Sequence, residues 1–298
     1  MGNSAMKVGF IGTGVMGRPM AHNVLKAGHS LIVFDIQPEQ VKDLVDAGAT
    51  LAQSPADLAA RCEALFLSLP ADPEVEAVML GPEGVIAGAG PGTVVIDTTS
   101  GTPHAARRME AAASARQVGY LDAPVSGGVK GAREGTLTLM VGGDGGAVVK
   151  VRSLLTAVGR NIYEVGPVGA GRTLKAINQI IAGLNAAILC ESLVLAKKAG
   201  ISAETFLEVL GNTAADSYQL QTKLPQFIIP RNFDGGFRIN LMLKDLDIAM
   251  EMARQLQAPA LLLSLGTQLY RAAASTGFGQ KDTSSMVQFL SSLGGVDF

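Results

Sequence analysis

The chain has 298 residues, 48 % of them hydrophobic and 17 % charged, with a formal net charge of −2. At roughly 100–200 residues per domain the length predicts one large domain or two ordinary ones, and the apolar share excludes a disordered chain. The balanced charge, with no basic run, excludes the electrostatic footprint of a nucleic-acid or anionic-membrane binder. Met1–Ala5 reads as an expression remnant. Lys7–Ile11 is expected to be a strand; the short apolar run Met6–Ile11, interrupted by Lys7 and Gly9, does not read as a signal peptide.

Further strands are expected at Leu31–Phe34, Ala64–Ser68, Val94–Asp97, Tyr120–Ala123 and Leu137–Val141. Between them, helices are expected at Met16–Ala27, Pro38–Ala47, Pro55–Arg61, Pro73–Leu80, Pro103–Arg116 and Ala147–Ala157. Several begin at or near a proline, which suits a first helical turn. This alternation predicts an α/β fold with a doubly wound, largely parallel sheet and right-handed crossovers.

From Val168 onward no strand is expected. A long helix should run over Val168–Ala199, ended by Gly200, followed by helices at Ala203–Leu210, Met242–Gln257 and Ala260–Ala274, with a turn-rich break at Asn232–Gly236. Two domains are therefore expected, residues 1–167 and an all-α domain over residues 168–298, joined by the long helix. The apolar stretch Ile177–Ala196 carries Asn178, Gln179, Asn185 and Glu191, which suits a buried helix rather than a membrane span. Cys62 and Cys190 sit far apart in apolar contexts and read as buried free thiols. A soluble, cytoplasmic protein is expected.

Lys7–Ile11 runs straight into Gly12-Thr13-Gly14-Val15-Met16-Gly17, a G-x-G-x-x-G loop between a strand and a helix. In that setting Gly12 permits the tight turn, Gly14 lets the backbone approach a pyrophosphate, and Gly17 lets helix and strand pack closely. Thr13, Val15 and Met16 complete the loop, and the helix start offers N–H groups to the phosphates. Asp35 closes the second strand, about 20 residues on, where an acid accepts from a ribose 2′-OH and repels a 2′-phosphate. No Arg or Lys occurs in Ile36–Val41. The domain reads as a Rossmann-type, dinucleotide-binding one, with NAD expected over NADP. Ser68-Leu69-Pro70 and Asp97-Thr98-Thr99-Ser100 lie at the carboxyl ends of later strands and should face the cofactor, although alone each is an ordinary loop.

Four motifs in order resemble the β-hydroxyacid dehydrogenases, the group of 3-hydroxyisobutyrate dehydrogenase and tartronate semialdehyde reductase. They are Gly9-Phe10-Ile11-Gly12-Thr13-Gly14-Val15-Met16-Gly17-Arg18-Pro19-Met20, Asp122-Ala123-Pro124-Val125-Ser126-Gly127-Gly128, Gly171-Arg172-Thr173-Leu174-Lys175-Ala176-Ile177-Asn178, and Lys244-Asp245-Leu246. The resemblance implies a Rossmann-type domain and an all-α domain with the active site in the cleft between them. It implies Lys175 as catalytic acid/base, Ser126, Gly127, Gly128 and Asn178 as substrate ligands, Lys244 at the nicotinamide end, and Leu69, Pro70 and Ser100 lining the cofactor. It also implies a small 3-hydroxy carboxylate or its semialdehyde as substrate. The stretch Asn178–Asn185 leans towards the tartronate semialdehyde branch.

Lys175 and Asn178 stand at i, i+3 and share one face of the long helix. In reduction Lys175 would deliver a proton to the substrate oxygen; in oxidation a neutral Lys175 would take one. A free lysine titrates near 10.4, so oxidation calls for a lowered value, from burial and from Lys244. Ser126-Gly127-Gly128 offers a hydroxyl and backbone N–H groups to a carboxylate. Taken alone, Lys175 is a surface charge and Lys244-Asp245 a helix-surface pair of little worth. His22, His29 and His104 are poorly placed for catalysis, and no cluster has metal-ligand spacing, so metal-free chemistry is expected. Specificity residues are expected within Phe233–Ile239. The apolar second domain suggests a homodimer or homotetramer. A non-catalytic nucleotide-binding module and an imine-reducing relative remain as alternatives.

Overall fold

The structure, a computed structural model, describes residues 5–298; Met1–Ser4, most of the expected remnant, lie outside the described residues. The chain divides into two compact units, one ending at Lys175 and the other running from Ala176 to Phe298.

The first unit follows the order β1 (Lys7–Ile11), α1 (Gly17–Lys26), β2 (Ser30–Phe34), α2 (Lys42–Asp46), β3 (Thr50–Leu51), α3 (Pro55–Ala60), β4 (Ala64–Leu67), α4 (Asp72–Leu80), α5 (Val85–Gly88) and β5 (Val94–Asp97). It continues through α6 (Pro103–Ser114), β6 (Gly119–Asp122), β7 (Val125–Ser126), α7 (Gly128–Glu134), β8 (Leu137–Gly142), α8 (Gly145–Lys150), α9 (Arg152–Val158) and β9 (Gly159–Gly166). The sheet order is β3-β2-β1-β4-β5-β6-β8-β7, with β9 on the other side of β8. The strands from β3 to β6 are parallel, and β8 turns antiparallel to β6. The order therefore reverses between β1 and β4, the switch point at which doubly wound sheets bind ligands.

Burial explains the strands. β4 and β5 are buried at every position, as expected of parallel strands covered on both faces. Neighbouring residues alternate between two cores: Phe10, Val33, Phe66, Ile96 and Leu121 pack on one face, and Ile11, Ile32, Leu65, Val95 and Tyr120 on the other.

All six expected strands form, within a residue or so of their predicted bounds. β9 escaped prediction because it is a mostly exposed edge without an alternating apolar pattern. The single helix expected at Ala147–Ala157 is two, broken at Val151, whose backbone leaves the helical region. Pro38–Ala47 begins as a 3-10 turn before α2. Both cysteines are buried free thiols.

The long helix α10 (Ala170–Lys198) starts in the first unit and continues into the second, and Gly200, at φ +79°, ends it as expected. Then come α11 (Ala203–Leu210), α12 (Tyr218–Lys223), α13 (Ile239–Gln255), α14 (Leu261–Ala273) and α15 (Met286–Gly294); α12 and α15 were not anticipated. Glycines set the helix spacing: a Cβ at Gly183 would lie 2.9 Å from Met242 of α13, and one at Gly266 of α14 would collide with Leu184 of α10. The Tyr270 hydroxyl donates to the Gly183 carbonyl at 3.0 Å. By length and hydropathy α10 does qualify as a membrane span, contrary to the sequence reading. Its Leu189, Cys190 and Leu193 nevertheless belong to the core of the second unit, so it is that unit's central packing helix. Phe233 and Ile239, expected among the specificity residues, lie in this same core.

Candidate active site

The glycine loop behaves as its spacing requires. Gly12 has φ +87°, and a Cβ there would collide with the Ser68 carbonyl; a Cβ at Gly17 would collide with the Gly12 carbonyl. Gly14 has open space where a Cβ would stand, which leaves its backbone approachable. No side chain caps the start of α1, and no acidic residue lies in its first turn, so its N–H groups and positive dipole end suit an anion. Val15 is exposed and Thr13 fully buried. Asp35, just past β2, is held against this loop: its Oδ2 accepts from Thr13 N at 2.7 Å and Thr13 Oγ1 at 3.2 Å, and its Oδ1 from Gln37 N at 3.0 Å.

Leu69 and Pro70 follow β4, and Ser100 follows β5, both at the carboxyl edge beside the switch point. The two loops are tied to each other. Leu69 N donates to Thr99 Oγ1 at 3.1 Å, Thr98 Oγ1 to the Leu67 carbonyl at 2.7 Å, and Thr99 N to Asp97 Oδ1 at 2.9 Å. These residues fit a dinucleotide.

Ser126 ends the short strand β7, paired with Thr138 of β8. Gly127 at φ +132° and Gly128 at φ +63° follow it, conformations that only glycine adopts without strain. Nothing lies within 4 Å of the point where a Gly128 Cβ would stand.

Asp122, at the end of β6, was read only as the first residue of a motif. It is fully buried, and its two oxygens accept from Gly169 N and Arg172 N, each at 2.8 Å. A carboxylate remote in sequence thus caps the start of α10. Burial pushes its carboxyl up to about 6, against the lowering effect of those two N–H donors. Sequence reasoning also missed Arg172, whose side chain is completely buried. Its Nη1 donates to Asp72 Oδ1 at 2.8 Å and to the Thr102 carbonyl at 3.0 Å, and its Nη2 to Asp97 Oδ2 at 2.5 Å. The Tyr120 hydroxyl donates to the same Asp97 oxygen at 2.6 Å. Burial alone would lower the guanidinium's affinity for its proton; Asp97, Tyr120 and Asp72 more than offset this and hold it above its ordinary value. Burial, aided by Asp97, likewise holds the Tyr120 phenol well above its usual range.

Lys175 is half-buried on α10, one turn beyond Arg172, and Asn178 follows another turn on. In the second unit Asn178 Nδ2 donates to Gln179 Oε1 at 2.8 Å, and Gln179 Nε2 to Asp245 Oδ2 at 2.6 Å. Lys244 Nζ lies 3.2 Å from Asp245 Oδ1, an ion pair short of a directed hydrogen bond. Asp245 is only 4 % exposed, so Lys244-Asp245 is not the surface pair that its sequence alone would suggest. Two of the three histidines are occupied elsewhere: His22 pairs with Asp43 at 3.0 Å, and His29 Nδ1 accepts from Met6 N while burial lowers its pKa.

A glycine turn between β1 and an uncapped helix, at the switch point of a 3-2-1-4-5-6 sheet, with an acid closing β2, defines a nicotinamide-dinucleotide oxidoreductase. Known proteins agree. Residues 7–166 match the NAD-binding domain of 6-phosphogluconate dehydrogenase, and residues 169–290 the NAD-binding family of NADP-dependent 3-hydroxyisobutyrate dehydrogenase. The chain belongs to the β-hydroxyacid dehydrogenase family, oxidoreductases that act on a CH–OH group. It is 38 % identical to 2-(hydroxymethyl)glutarate dehydrogenase of Eubacterium barkeri, over 98 % of this chain and 97 % of that one. It is also 38 % identical to 2-hydroxy-3-oxopropionate reductase of Escherichia coli, over 96 % and 97 %. The solved 3-hydroxyisobutyrate dehydrogenase of Mycobacterium tuberculosis with L-serine superposes with a TM-score of 0.90 at 30 % identity, covering 96 % of this chain and 99 % of that one.

Proposed function

We propose that this protein is an NAD-preferring dehydrogenase for short acids of the form HOCH2–CHR–COO−, or for the corresponding semialdehydes. The relatives' named substrates and ligand share that skeleton and differ in R: a methyl in 3-hydroxyisobutyrate, an amine in serine, a hydroxyl in the semialdehyde reduced by 2-hydroxy-3-oxopropionate reductase, a carboxyethyl group in 2-(hydroxymethyl)glutarate. The observation that carries the reading is the placement of Lys175 and Asn178 on successive turns of α10, whose start is anchored by the buried Asp122 in the strand that leads to Ser126.

Bound nicotinamide supplies or accepts the hydride. Lys175 moves the proton on the substrate oxygen, giving it in reduction and taking it in oxidation. Ser126, Gly127 and Gly128 hold the carboxylate, and Asn178 donates to the substrate. Gly12, Thr13, Gly14, Val15, Met16 and Gly17 hold the pyrophosphate, with Leu69, Pro70 and Ser100 along the cofactor and Lys244 towards its nicotinamide end. Asp35 selects the ribose with a free 2′-OH. On this reading the first unit binds the cofactor. Both thiols are free, in keeping with a cytoplasmic enzyme. Ile181, Ile188 and Leu195 form an exposed apolar stripe at seven-residue spacing on α10, which supports a homodimer or homotetramer.

The test is cofactor absorbance with purified protein. NADH and NADPH would be paired with tartronate and methylmalonate semialdehydes, and NAD and NADP with glycerate, 3-hydroxyisobutyrate, serine and 2-(hydroxymethyl)glutarate. Turnover with none of them, despite NADH binding, would replace this reading with that of a non-catalytic nucleotide-binding module.

A further inference from the structure

We infer that Arg172 is a positioning residue whose buried guanidinium locks the turn of α10 bearing Lys175 to the two strand-end loops that flank the cofactor position. The inference rests on the proposed function for what those loops and Lys175 do.

The guanidinium reaches both loops: Nη1 holds Asp72 after β4 and the Thr102 carbonyl after β5, and Nη2 holds Asp97 at the end of β5. Asp72 opens α4, two positions after Pro70, and its second oxygen accepts from Thr102 N and Thr102 Oγ1, each at 2.9 Å. Asp72 thereby ties the loop after β4 to the loop after β5. Asp97 is the last residue of β5 and holds Thr99 N through its other oxygen. The main chain of Arg172 meanwhile donates to Asp122 at the end of β6. One residue therefore joins the carboxyl ends of three adjacent parallel strands to the helix that carries Lys175 three positions later.

The surroundings leave it no slack. A Cβ at Gly101 would collide with Asp72 Oδ1 and stand 2.8 Å from Arg172 Nη1. A Cβ at Gly171 would collide with the Met140 carbonyl and lie 2.6 Å from that of Asp122. Stability alone does not account for the cluster. A buried ion pair is often no more stabilising than apolar side chains of the same volume, and here Arg172 Nε is buried without a hydrogen-bond partner. What a planar fork does better than any apolar residue, or than lysine, is fix two acceptors at a set distance and angle.

The test uses full-length protein well below each variant's melting temperature, with NADH affinity followed by fluorescence and kcat and KM by absorbance. Asp72→Asn keeps the shape of a side chain that is 20 % exposed and releases one loop. It is expected to weaken NADH binding about tenfold, the loss of one charged hydrogen bond, with kcat within about twofold. Arg172→Lys keeps the charge but cannot hold both arms. It is expected to lower kcat at least about tenfold and weaken NADH binding as well, and the double variant to lose less than the two losses combined, as coupled sites do. Variants that melt earlier but keep wild-type NADH affinity and kcat would overturn the inference and leave Arg172 a purely structural residue. If Arg172→Lys does not fold, Asp72→Asn decides alone by its split between affinity and kcat. Wild-type protein that turns over substrate while Arg172→Lys does so equally well, or while Asp72→Asn binds NADH with wild-type affinity, defeats only this inference. Wild-type protein that does not bind NADH defeats the cofactor reading and this inference with it.

Discussion

The side-chain amide of Gln179 on α10 donates to Asp245 Oδ2 on α13 across 2.6 Å. Through that bond the side chain next to Asn178 and the side chain next to Lys244 are fixed against each other. Gln179→Leu removes the donor from a carboxylate that is 4 % exposed. Leaving such a group short of a partner costs about 1–3 kcal/mol. We expect that loss of stability in denaturant unfolding, together with a raised substrate KM, because Asn178 also loses its acceptor. Gln179→Glu, which sets two carboxyl groups against each other, should be worse.

Lys175→Met tests the acid/base role. Removing a positioned proton donor should lower kcat about 10²–10⁴-fold, while NADH affinity stays within about twofold of wild type. Comparable kcat in the variant would take the proton-transfer role away from Lys175.

Asp35→Ala should erode cofactor choice. The carboxylate it removes also organises Thr13 of the glycine loop through two contacts, so affinity for both cofactors should fall. NAD should suffer more: the ratio of kcat/KM for NAD over NADP is expected to drop about 10–100-fold, the worth of a charged hydrogen bond plus the lost repulsion of a 2′-phosphate.

Stability should carry a signature of Asp122. Its carboxyl titrates at about 6 in the folded protein and near 3.9 when unfolded. Below pH 4 both states hold the proton; between the two values only the folded state does. The stabilisation is therefore full at the acid end and is lost as pH rises to about 6, by about 3 kcal/mol. Denaturant unfolding at pH 4.5 and 6.5 should show this component in wild type and not in Asp122→Asn. The variant is also expected to be less stable throughout, since an amide offers one acceptor where Gly169 N and Arg172 N need two.

Burial pushes the thiols of Cys62 and Cys190 each up to about 12. Alkylation at pH 8 should accordingly be slow in the native protein and rapid in denaturant; fast labelling of native protein would contradict their burial.

Much of the first half was legible because its signals are local. Gly12 and Gly17 are set by backbone atoms a few residues away or on the adjoining strand, and the run of buried residues in β4 and β5 marks central strands directly. Lys175 and Asn178 were singled out by helical spacing and by the motif around them, and both stand on α10. The hub around Arg172 was not legible. Asp72, Asp97, Tyr120 and Asp122 come together only once the strand order is known, and each alone is an ordinary strand-end residue. One signal was present: an arginine on an otherwise apolar stretch of helix, one turn before the lysine. Asp245 was misjudged because a Lys-Asp pair on a helix is usually solvated, and only the packing of α13 against α10 shows it buried. β9 escaped because an exposed edge strand has no apolar rhythm to read.

The start of α10 is capped by a carboxylate nearly fifty positions upstream, so the instruction for where this helix begins is not written in the helix. A recombinant fragment opening at Gly169 would carry Lys175 and Asn178 in full yet have only water in place of the carboxylate at its first N–H groups, and its opening turns would fray. Exchange of the C-terminal half between relatives would succeed only when the incoming helix matches the Asp122, Asp72 and Asp97 of the host sheet. The seam along which this enzyme can be cut and rejoined lies past Lys175, inside the helix.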